Sequence, residues 1–265
     1  MPSGVAGAVA GAGPDRAWDV AAYALRLGDD ALVLAQRLSV WVASAPDLEE
    51  DLAIANIALD LLGQARSLLS YAGELEGAGR DEDALALERD ERDFTNVLLV
   101  EQPNGDFGTT MARQLLFSAY QLELYRDLTR STDETLAGVA AKAEKEVAYH
   151  RDHAARWVVR LGDGTEESHV RMQAGVDQVW PYAEELWDVD DLQGRLEVAG
   201  VAPRLEGLRP AWEAFVEATL AEATLSPPET TWRPSGGREG RHTEPFGYML
   251  AEMQHLHRSH QGARW

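Results

Sequence analysis

Residues 45–75 read APDLEEDLAIANIALDLLGQARSLLSYAGEL and carry the clearest helix signal in the chain. Pro46 marks a turn, and Asp47 is a good N-cap because Glu50 follows three residues later, as in a capping box. The positive end of the helix dipole favours the acidic residues of the first turn, Glu49, Glu50 and Asp51. Apolar residues then recur at helical spacing, at Leu48, Leu52, Ala55, Leu59, Leu62, Leu69 and Leu75. The stretch predicts a long helix ending near Gly77.

Helical patterns also dominate the rest of the chain, with Gly28 as a weak point in the first predicted helix and Pro181 as a kink site in a later one. No convincing alternating strand pattern occurs. Further helices are predicted over residues 19–43, 89–101, 108–129, 133–161, 166–187, 210–224 and 247–257. Together these patterns predict an all-α bundle of long antiparallel helices with short connections.

The chain has 265 residues, of which 45% are apolar, which is ample for one large domain with a buried core. Its beginning is rich in Gly, Ala and Val and lacks the basic n-region of a signal peptide. We therefore predict a disordered leader over residues 1–16 and a single helical domain over residues 17–265.

The formal net charge of −21 makes binding to nucleic acid or to an anionic membrane surface improbable. The same acidity would suit a basic partner, although most acidic surfaces are simply solvated. There is no cysteine, which excludes thiolate chemistry and fits a cytoplasmic protein. No apolar run approaches the roughly 20 residues needed to span a bilayer.

Residues 226–243 read SPPETTWRPSGGREGRHT and form one long irregular segment. A loop of this length in a compact domain tends to be functional or disordered. It concentrates basic residues in an acidic chain and holds a tryptophan that is costly to leave in water. We interpret it as a partner-docking loop, with a floppy tether as the alternative, and its candidate contact residues are Trp232, Arg233, Arg238, Arg241 and His242.

Two predicted helices share a five-residue pattern, Asp60-Leu61-Leu62-Gly63-Gln64 and Glu146-Val147-Ala148-Tyr149-His150. Each has an acid, an apolar residue, two spacers, and then an amide or imidazole. Di-iron carboxylate bundles take one Glu from each of two helices and a Glu-x-x-His pair from each of the other two. That spacing places a carboxylate and an imidazole one turn apart on one helix face.

Compared with that template, the chain keeps the pattern and lacks its ligating chemistry. Leu61 and Val147 stand where the ligand glutamates would be, and Gln64 stands where the first ligand histidine would be. His150 alone keeps its residue type. Apolar side chains cannot ligate a metal, and one histidine cannot hold two irons.

With these residues in view, the sequence resembles the structural C components of phenylacetyl-CoA 1,2-epoxidases, which are ferritin-like relatives of the catalytic A components. The resemblance spreads over nearly the whole chain after residue 18. It is carried by LRLGDDALVLAQRLSVW (25–41), residues 45–75, RDFTNVLLVEQPNGDF (92–107), KAEKEVAYHRDHAARWVVRLGDGT (142–165) and HTEPFGYMLAEMQ (242–254).

The resemblance implies that this chain is a non-catalytic structural subunit with an emptied metal site. The motif of the catalytic relatives aligns at Trp41, Ala45-Pro46 and Asp60, which puts the first-helix ligand position at Ala31. The fourth position is not placed. The acids of the third core helix between residues 109 and 129 are Glu123 and Asp127, and both could be solvated.

The resemblance also implies the partners and cofactors. The chain would bind the catalytic di-iron component, A, and the small component, B, and alone it could form a homo-oligomer. It would bind no cofactor itself. The di-iron centre would lie in the catalytic component, and FAD and an iron–sulfur cluster would lie in a separate reductase that delivers electrons from NADPH.

For the emptied site we predict a network in which Asp60 bonds His150 and Glu146 bonds Gln64, because unpaired polar groups are expensive inside a bundle. The alternative is an ordinary surface pair of Glu146 with Lys142, one turn earlier. Two other functions stay open at this point. An active di-iron oxygenase or iron-storage protein would bind about two irons per chain, and a helical adaptor would have no link to oxygen chemistry.

Overall fold

The computed structural model describes residues 14–260 and 262–263, and within them it contains helices and loops and no β-strand, which confirms the all-α prediction there. Three short 3₁₀ segments lie at Glu91–Asp93, Trp180–Trp187 and Gly237–Glu239. The α-helices are α1 (Pro14–Ser39), α2 (Leu48–Glu76), α3 (Glu82–Leu87), α4 (Leu98–Glu101), α5 (Phe107–Leu128), α6 (Glu134–Gly162), α7 (Glu166–Val179), α8 (Asp191–Val198), α9 (Leu205–Glu222) and α10 (Glu244–Ser259).

The long predicted helices are confirmed with shifted ends. Helix α1 begins at Pro14, so residues 14–16 of the predicted leader are helical, whereas residues 1–13 lie outside the described residues. The helix predicted over residues 166–187 splits at Trp180, where α7 gives way to the 3₁₀ segment that contains Pro181. The two short helices α3 and α8 were not predicted, because neither is long enough to show a clear period.

Helix α2 begins as its sequence predicts. The Asp47 carboxylate accepts the Glu50 backbone N–H at 2.9 Å. The Glu50 carboxylate reaches His153 on α6, with 2.7 Å between Oε2 and Nε2. Gly77 ends the helix with a φ of +68°, a conformation that glycine adopts without steric cost.

The middle of α2 is more apolar than the sequence analysis allowed. An 18-residue window has a mean hydropathy of 1.3, so by length and composition α2 could span a bilayer, contrary to our expectation. In the fold, 44% of that window is buried, and α2 packs against α1 and α6. The core helix of a bundle packs against its neighbours in this way. Much of the apolar surface of α2 nevertheless stays exposed.

The residues that α2 exposes include those that the sequence pattern singled out. Ile54, Ile57 and Leu61 are at most 1% exposed and belong to the core. Four leucines point outward, and we call them the leucine stripe: Leu48 (69% exposed), Leu52 (58%), Leu59 (64%) and Leu62 (48%).

Four long helices form the centre of the fold. Helix α1 packs along α2, α5 packs along α6, and α2 also contacts α6. Gly28 marks a close approach of α1 to α2, since a Cβ there would lie 2.8 Å from Leu69 Cδ2. Nearly every residue of α5 is buried, because α7 and α9 cover its outer side.

The helix predicted over residues 89–101 is wrong as one continuous helix, since only its end, Leu98–Glu101, is α-helical, and a buried carboxylate on α1 explains why. Asp29 is fully buried and pairs with the guanidinium of Arg89. It also accepts the Thr95 backbone N–H at 2.8 Å. These bonds compensate the cost of burying the charge, and they hold the chain after the Glu91–Asp93 segment in an extended path where a helix would not place those donors.

The neighbouring Asp30 fixes two further parts of the chain. It accepts the Val97 backbone N–H at 2.8 Å and a bidentate pair of bonds from Arg238, at 2.8 and 3.0 Å. Burial alone would lower the pKa of Arg238, but the charge and hydrogen bonds of Asp30, together with the nearby Tyr120 and Glu185, raise that pKa. The segment near residue 97 and the loop near residue 238 are therefore tied to the same helix.

Glu101 is a third buried carboxylate, and it organises the start of α10. It accepts the Thr243 backbone N–H at 2.6 Å and contacts His242 Nδ1 at 2.7 Å. His242 Nε2 lies 3.0 Å from the Phe94 carbonyl, which can only accept a hydrogen bond. Both ring nitrogens thus face acceptors, an arrangement that favours the doubly protonated imidazolium.

Glu185, in the Trp180–Trp187 segment, binds the loop that precedes α10. Its carboxylate accepts the backbone N–H groups of Leu98, Gly236 and Gly237 at 2.6 to 2.8 Å. Gly237 must be small, because a Cβ there would come within 2.2 Å of the Asn96 carbonyl oxygen. Residues 235–243 are consequently part of the folded body.

We expect Arg89→Met to lower the free energy of unfolding by about 3–5 kcal/mol, because it leaves Asp29 charged and buried without its partner. Arg66→Met is the matched control, since Arg66 is 75% exposed and pairs with Glu82 at the surface. That change should cost no more than about 1 kcal/mol. Urea unfolding followed by circular dichroism measures both, and equal effects would contradict this role of Asp29.

We also expect pH to act on stability through His242. Burial alone would lower the pKa of His242, but the hydrogen bond and charge of Glu101, together with the Phe94 carbonyl and the charge of Glu91, raise the pKa above its usual value of 6.5. A raised pKa in the folded state stabilises the protein fully below the unfolded value, and this is lost as pH rises through the folded value. The stability advantage of wild type over His242→Gln should shrink as pH rises from about 6 to about 8. An advantage that grows over this range would contradict the assignment.

Candidate functional site

The two five-residue patterns lie side by side on α2 and α6, and the structure brings their polar residues together. His150 Nε2 lies 3.0 Å from Asp60 Oδ2. One turn away, the Gln64 side-chain amide donates to Glu146 Oε2, also at 3.0 Å. These are the partners that the sequence hypothesis paired across the site, and each pair joins α2 to α6.

Burial within this group is uneven. Gln64 and His150 are 4% and 1% exposed, respectively. Asp60 is half-buried, with its side chain 36% exposed, and Glu146 is also half-buried. The expectation that all four side chains face the bundle interior is therefore corrected: the amide and the imidazole lie inside, and the carboxylates lie at the edge, where water can solvate their remaining oxygen lone pairs.

The other positions that the di-iron template assigns to ligands are filled by apolar side chains. Ala31 on α1, Leu61 on α2 and Val147 on α6 are each at most 1% exposed and belong to one continuous hydrophobic core. None of them has an atom that can donate an electron pair to a metal. The region is therefore packed as ordinary core.

Helix α5 contributes a residue that the sequence analysis missed. The buried Gln121 donates from Nε2 to Gln64 Oε1 at 3.2 Å, which extends the polar group to the third core helix. The two acids of α5 that were candidates for the fourth ligand form local ion pairs instead, Glu123 with Arg126 and Asp127 with Arg130. A search for any polar residue on the buried face of α5 would have included Gln121.

The residues present do not fit a di-iron centre. Such a centre needs several carboxylates beside two imidazoles, all directed at one point. Among residues 14–260 and 262–263, no group of three or more His, Cys, Asp or Glu residues could hold a metal ion. Asp60 and His150 bond one another, and Glu146 bonds an amide, so this arrangement can align α2 with α6 but offers no set of free ligands.

The predicted docking loop is corrected for two of its residues. The Arg238 side chain is 19% exposed and that of His242 is 0% exposed, because the buried carboxylates Asp30 and Glu101 engage them internally. The remaining three residues are exposed. Arg233 pairs with Glu184, Arg241 pairs with Glu239, and the Trp232 ring meets Tyr182 edge-on with 5.4 Å between centroids.

Substituting two neighbouring leucines tests the apolar nature of this site. Leu61→Glu places a carboxylate in the core without a partner, and we expect it to lower the free energy of unfolding by more than about 3 kcal/mol. Leu62→Glu makes the same change on the outward face, and its effect on the isolated chain should stay within about 1 kcal/mol. Urea unfolding of both variants measures this. Similar losses, or a Leu61→Glu variant as stable as wild type, would contradict the packed site.

Comparison with known proteins identifies the family of the chain. A family model described as Phenylacetic acid catabolic protein matches residues 12–265. The C component of the 1,2-phenylacetyl-CoA epoxidase of Escherichia coli (strain K12) is 51% identical over 244 residues, which covers 92% of this chain and 98% of that protein. The resemblance stated from the sequence is thereby confirmed, and the chain belongs to the phenylacetic acid catabolic protein family.

Proposed function

We propose that this chain is a non-catalytic, ferritin-like structural subunit of a phenylacetyl-CoA 1,2-epoxidase in the cytoplasm, where it binds and stabilises the catalytic di-iron subunit. One observation carries the proposal. Buried apolar side chains occupy the template's carboxylate positions at Ala31, Leu61 and Val147. The 51% identical relative is named as the C component of such an epoxidase, which supports the assignment to a complex.

The paired polar residues support a structural role in physical terms. In a di-iron bundle the metal ions and their ligands tie the central helices to one another. In this chain the Asp60–His150 and Glu146–Gln64 bonds join α2 to α6, and the Gln121–Gln64 bond adds α5. A bundle held in this way needs no metal to fix the relative positions of these helices, which suits a subunit whose task is to present surfaces.

The partners and cofactors follow from the same proposal. The catalytic component, A, would hold the di-iron centre, and the small component, B, would join the same assembly. A separate reductase with FAD and an iron–sulfur cluster would deliver the electrons. This chain would contribute packing surfaces and bind no cofactor. Its removal would therefore impair the assembly and the stability of the complex.

Turnover by the reconstituted complex tests whether catalysis depends on the residues of this chain. With His150→Gln in this chain, the kcat for phenylacetyl-CoA epoxidation should stay within about twofold of wild type. The stability of the chain should fall by about 1–3 kcal/mol, because a buried partner of Asp60 is removed. Steady-state oxygen consumption and thermal unfolding give the two readouts.

The matched control replaces a Glu-x-x-His histidine of the catalytic subunit with glutamine. Losing a metal ligand there should reduce kcat by at least about 100-fold. If His150→Gln in a complex that stays assembled reduces turnover by a comparable factor, the chain takes part in the chemistry and the proposed function is wrong.

A further inference from the structure

Near the end of α6, two exposed arginines have no acidic partner. Arg156 and Arg160 lie one helical turn apart, so their side chains leave the same face of the helix. Among the residues that the structure describes, neither forms an ion pair with a carboxylate. The chain carries a net charge of −21 and therefore repels anionic metabolites at long range. A binding site for such a ligand would need arginines that are left unneutralised in this way.

The two arginines line a groove of about 490 Å³ beside α6. Tyr149 and Trp157 also line it and give it aromatic walls. The Arg160 guanidinium lies over the Trp157 ring, 4.7 Å from its centroid, and this contact holds the charge beside the groove. Tyr149 is 50% exposed, so its ring offers a surface on which a planar group can stack.

The acids that line the groove are already bonded within the chain. The Glu50 carboxylate contacts His153 Nε2 at 2.7 Å, and Asp152 pairs with Arg151 at 2.9 Å. Asp163, the first acid beyond the end of α6, does not line the groove. The positive charge of the two arginines is therefore not cancelled by the carboxylates of the groove itself.

His153 adds a hydrogen-bonding group between the Tyr149 ring and the arginines. Its Nε2 faces the Glu50 carboxylate and so carries a proton, which makes Nδ1 of the neutral ring an acceptor. Nδ1 is buried and has no hydrogen-bond partner in the described part of the chain, so a ligand hydroxyl that reaches it would satisfy a group that is costly to leave unpaired. From Tyr149 to Arg160 these groups span about 16 Å along the helix. They follow one another in the order in which a nucleotide carries its base, its ribose and its phosphates.

We propose that this groove binds a nucleoside diphosphate. The base stacks on Tyr149, a ribose hydroxyl binds His153 Nδ1, and the phosphates bind the two arginines. Stacking on an aromatic ring tolerates any base, and the guanidinium fork matches the oxygen atoms of a phosphate. Free nucleotides and coenzyme A share this chemistry, since coenzyme A contains a phosphorylated adenosine diphosphate. The proposed function does not depend on this site, because binding here requires no contact with the catalytic subunit.

Removing the two charges tests the proposal, by isothermal titration calorimetry on the full chain at constant ionic strength. Wild type should bind ADP with a Kd below about 1 mM. Arg156→Gln/Arg160→Gln should raise that Kd at least about tenfold, because each arginine is a charge-assisted donor to phosphate. The matched control is Arg92→Gln/Arg204→Gln, which removes two other exposed arginines that form no ion pair with any described residue. Its Kd should stay within about twofold of wild type, because salt screens distant surface charges.

Further titrations test the other parts of the ligand. Adenosine lacks phosphates and should bind wild type at least about tenfold more weakly than ADP. Tyr149→Leu keeps an apolar side chain without the aromatic face, and it should raise the Kd for ADP at least about fivefold. Coenzyme A identifies the source. If it binds at least about tenfold more tightly than ADP, with the same dependence on the two arginines, the groove serves coenzyme A thioesters, and otherwise it serves free nucleotides.

A Kd above about 10 mM for both ADP and coenzyme A in wild type would overturn the proposal. Equal effects of the two double variants would also overturn it, since the net charge of the chain alone would then explain them. The other possible occupant is an acidic protein. If neither compound binds and Arg156→Gln/Arg160→Gln weakens the binding of another protein component of the complex, the groove is a protein interface and the proposal is wrong. Circular dichroism shows that each variant is folded.

Discussion

The fold depends on buried carboxylates that are fully paired. A charged group inside a protein is tolerated only when hydrogen bonds and opposite charges replace the water it has lost. Asp29 and Asp30 on the first helix meet this condition by engaging Arg89, Arg238 and the backbone between residues 95 and 97. Glu101 and Glu185 do the same for the loop before the last helix. Irregular segments far apart in sequence are thereby fixed to the helical core.

The need to pair buried polar groups also explains the hydrogen bonds in the region where a di-iron bundle would hold its metal. Ala31, Leu61 and Val147 are buried apolar residues, and the polar side chains beside them bond to one another. Asp60 meets His150, and Gln64 meets both Glu146 and Gln121. The region thus combines an apolar core with a small set of hydrogen bonds that join α2, α5 and α6.

Local signals in the sequence were enough for the long helices, and the di-iron template was enough for the paired residues between α2 and α6. Asp47 and Gly77 delimit α2 through bonds to near neighbours, and the di-iron template supplies the register that pairs Asp60 with His150. The other interactions between distant residues, for which no template existed, were not visible in the sequence. The extended path at Thr95 depends on Asp29, 66 residues away, and the internal role of Arg238 depends on Asp30, 208 residues away. The periodic pattern predicted the apolar positions of α2, but it does not indicate which of them are covered by the other helices.

The most direct test of the account is the iron content of the native complex, measured by plasma mass spectrometry together with the ratio of this chain to its catalytic partner. The proposed function places one di-iron centre in each pair of subunits, in the catalytic subunit, because this chain has buried apolar side chains at Ala31, Leu61 and Val147. It therefore predicts about two irons per pair. About four irons per pair, with half of them retained by this chain once the pair is separated, would contradict it.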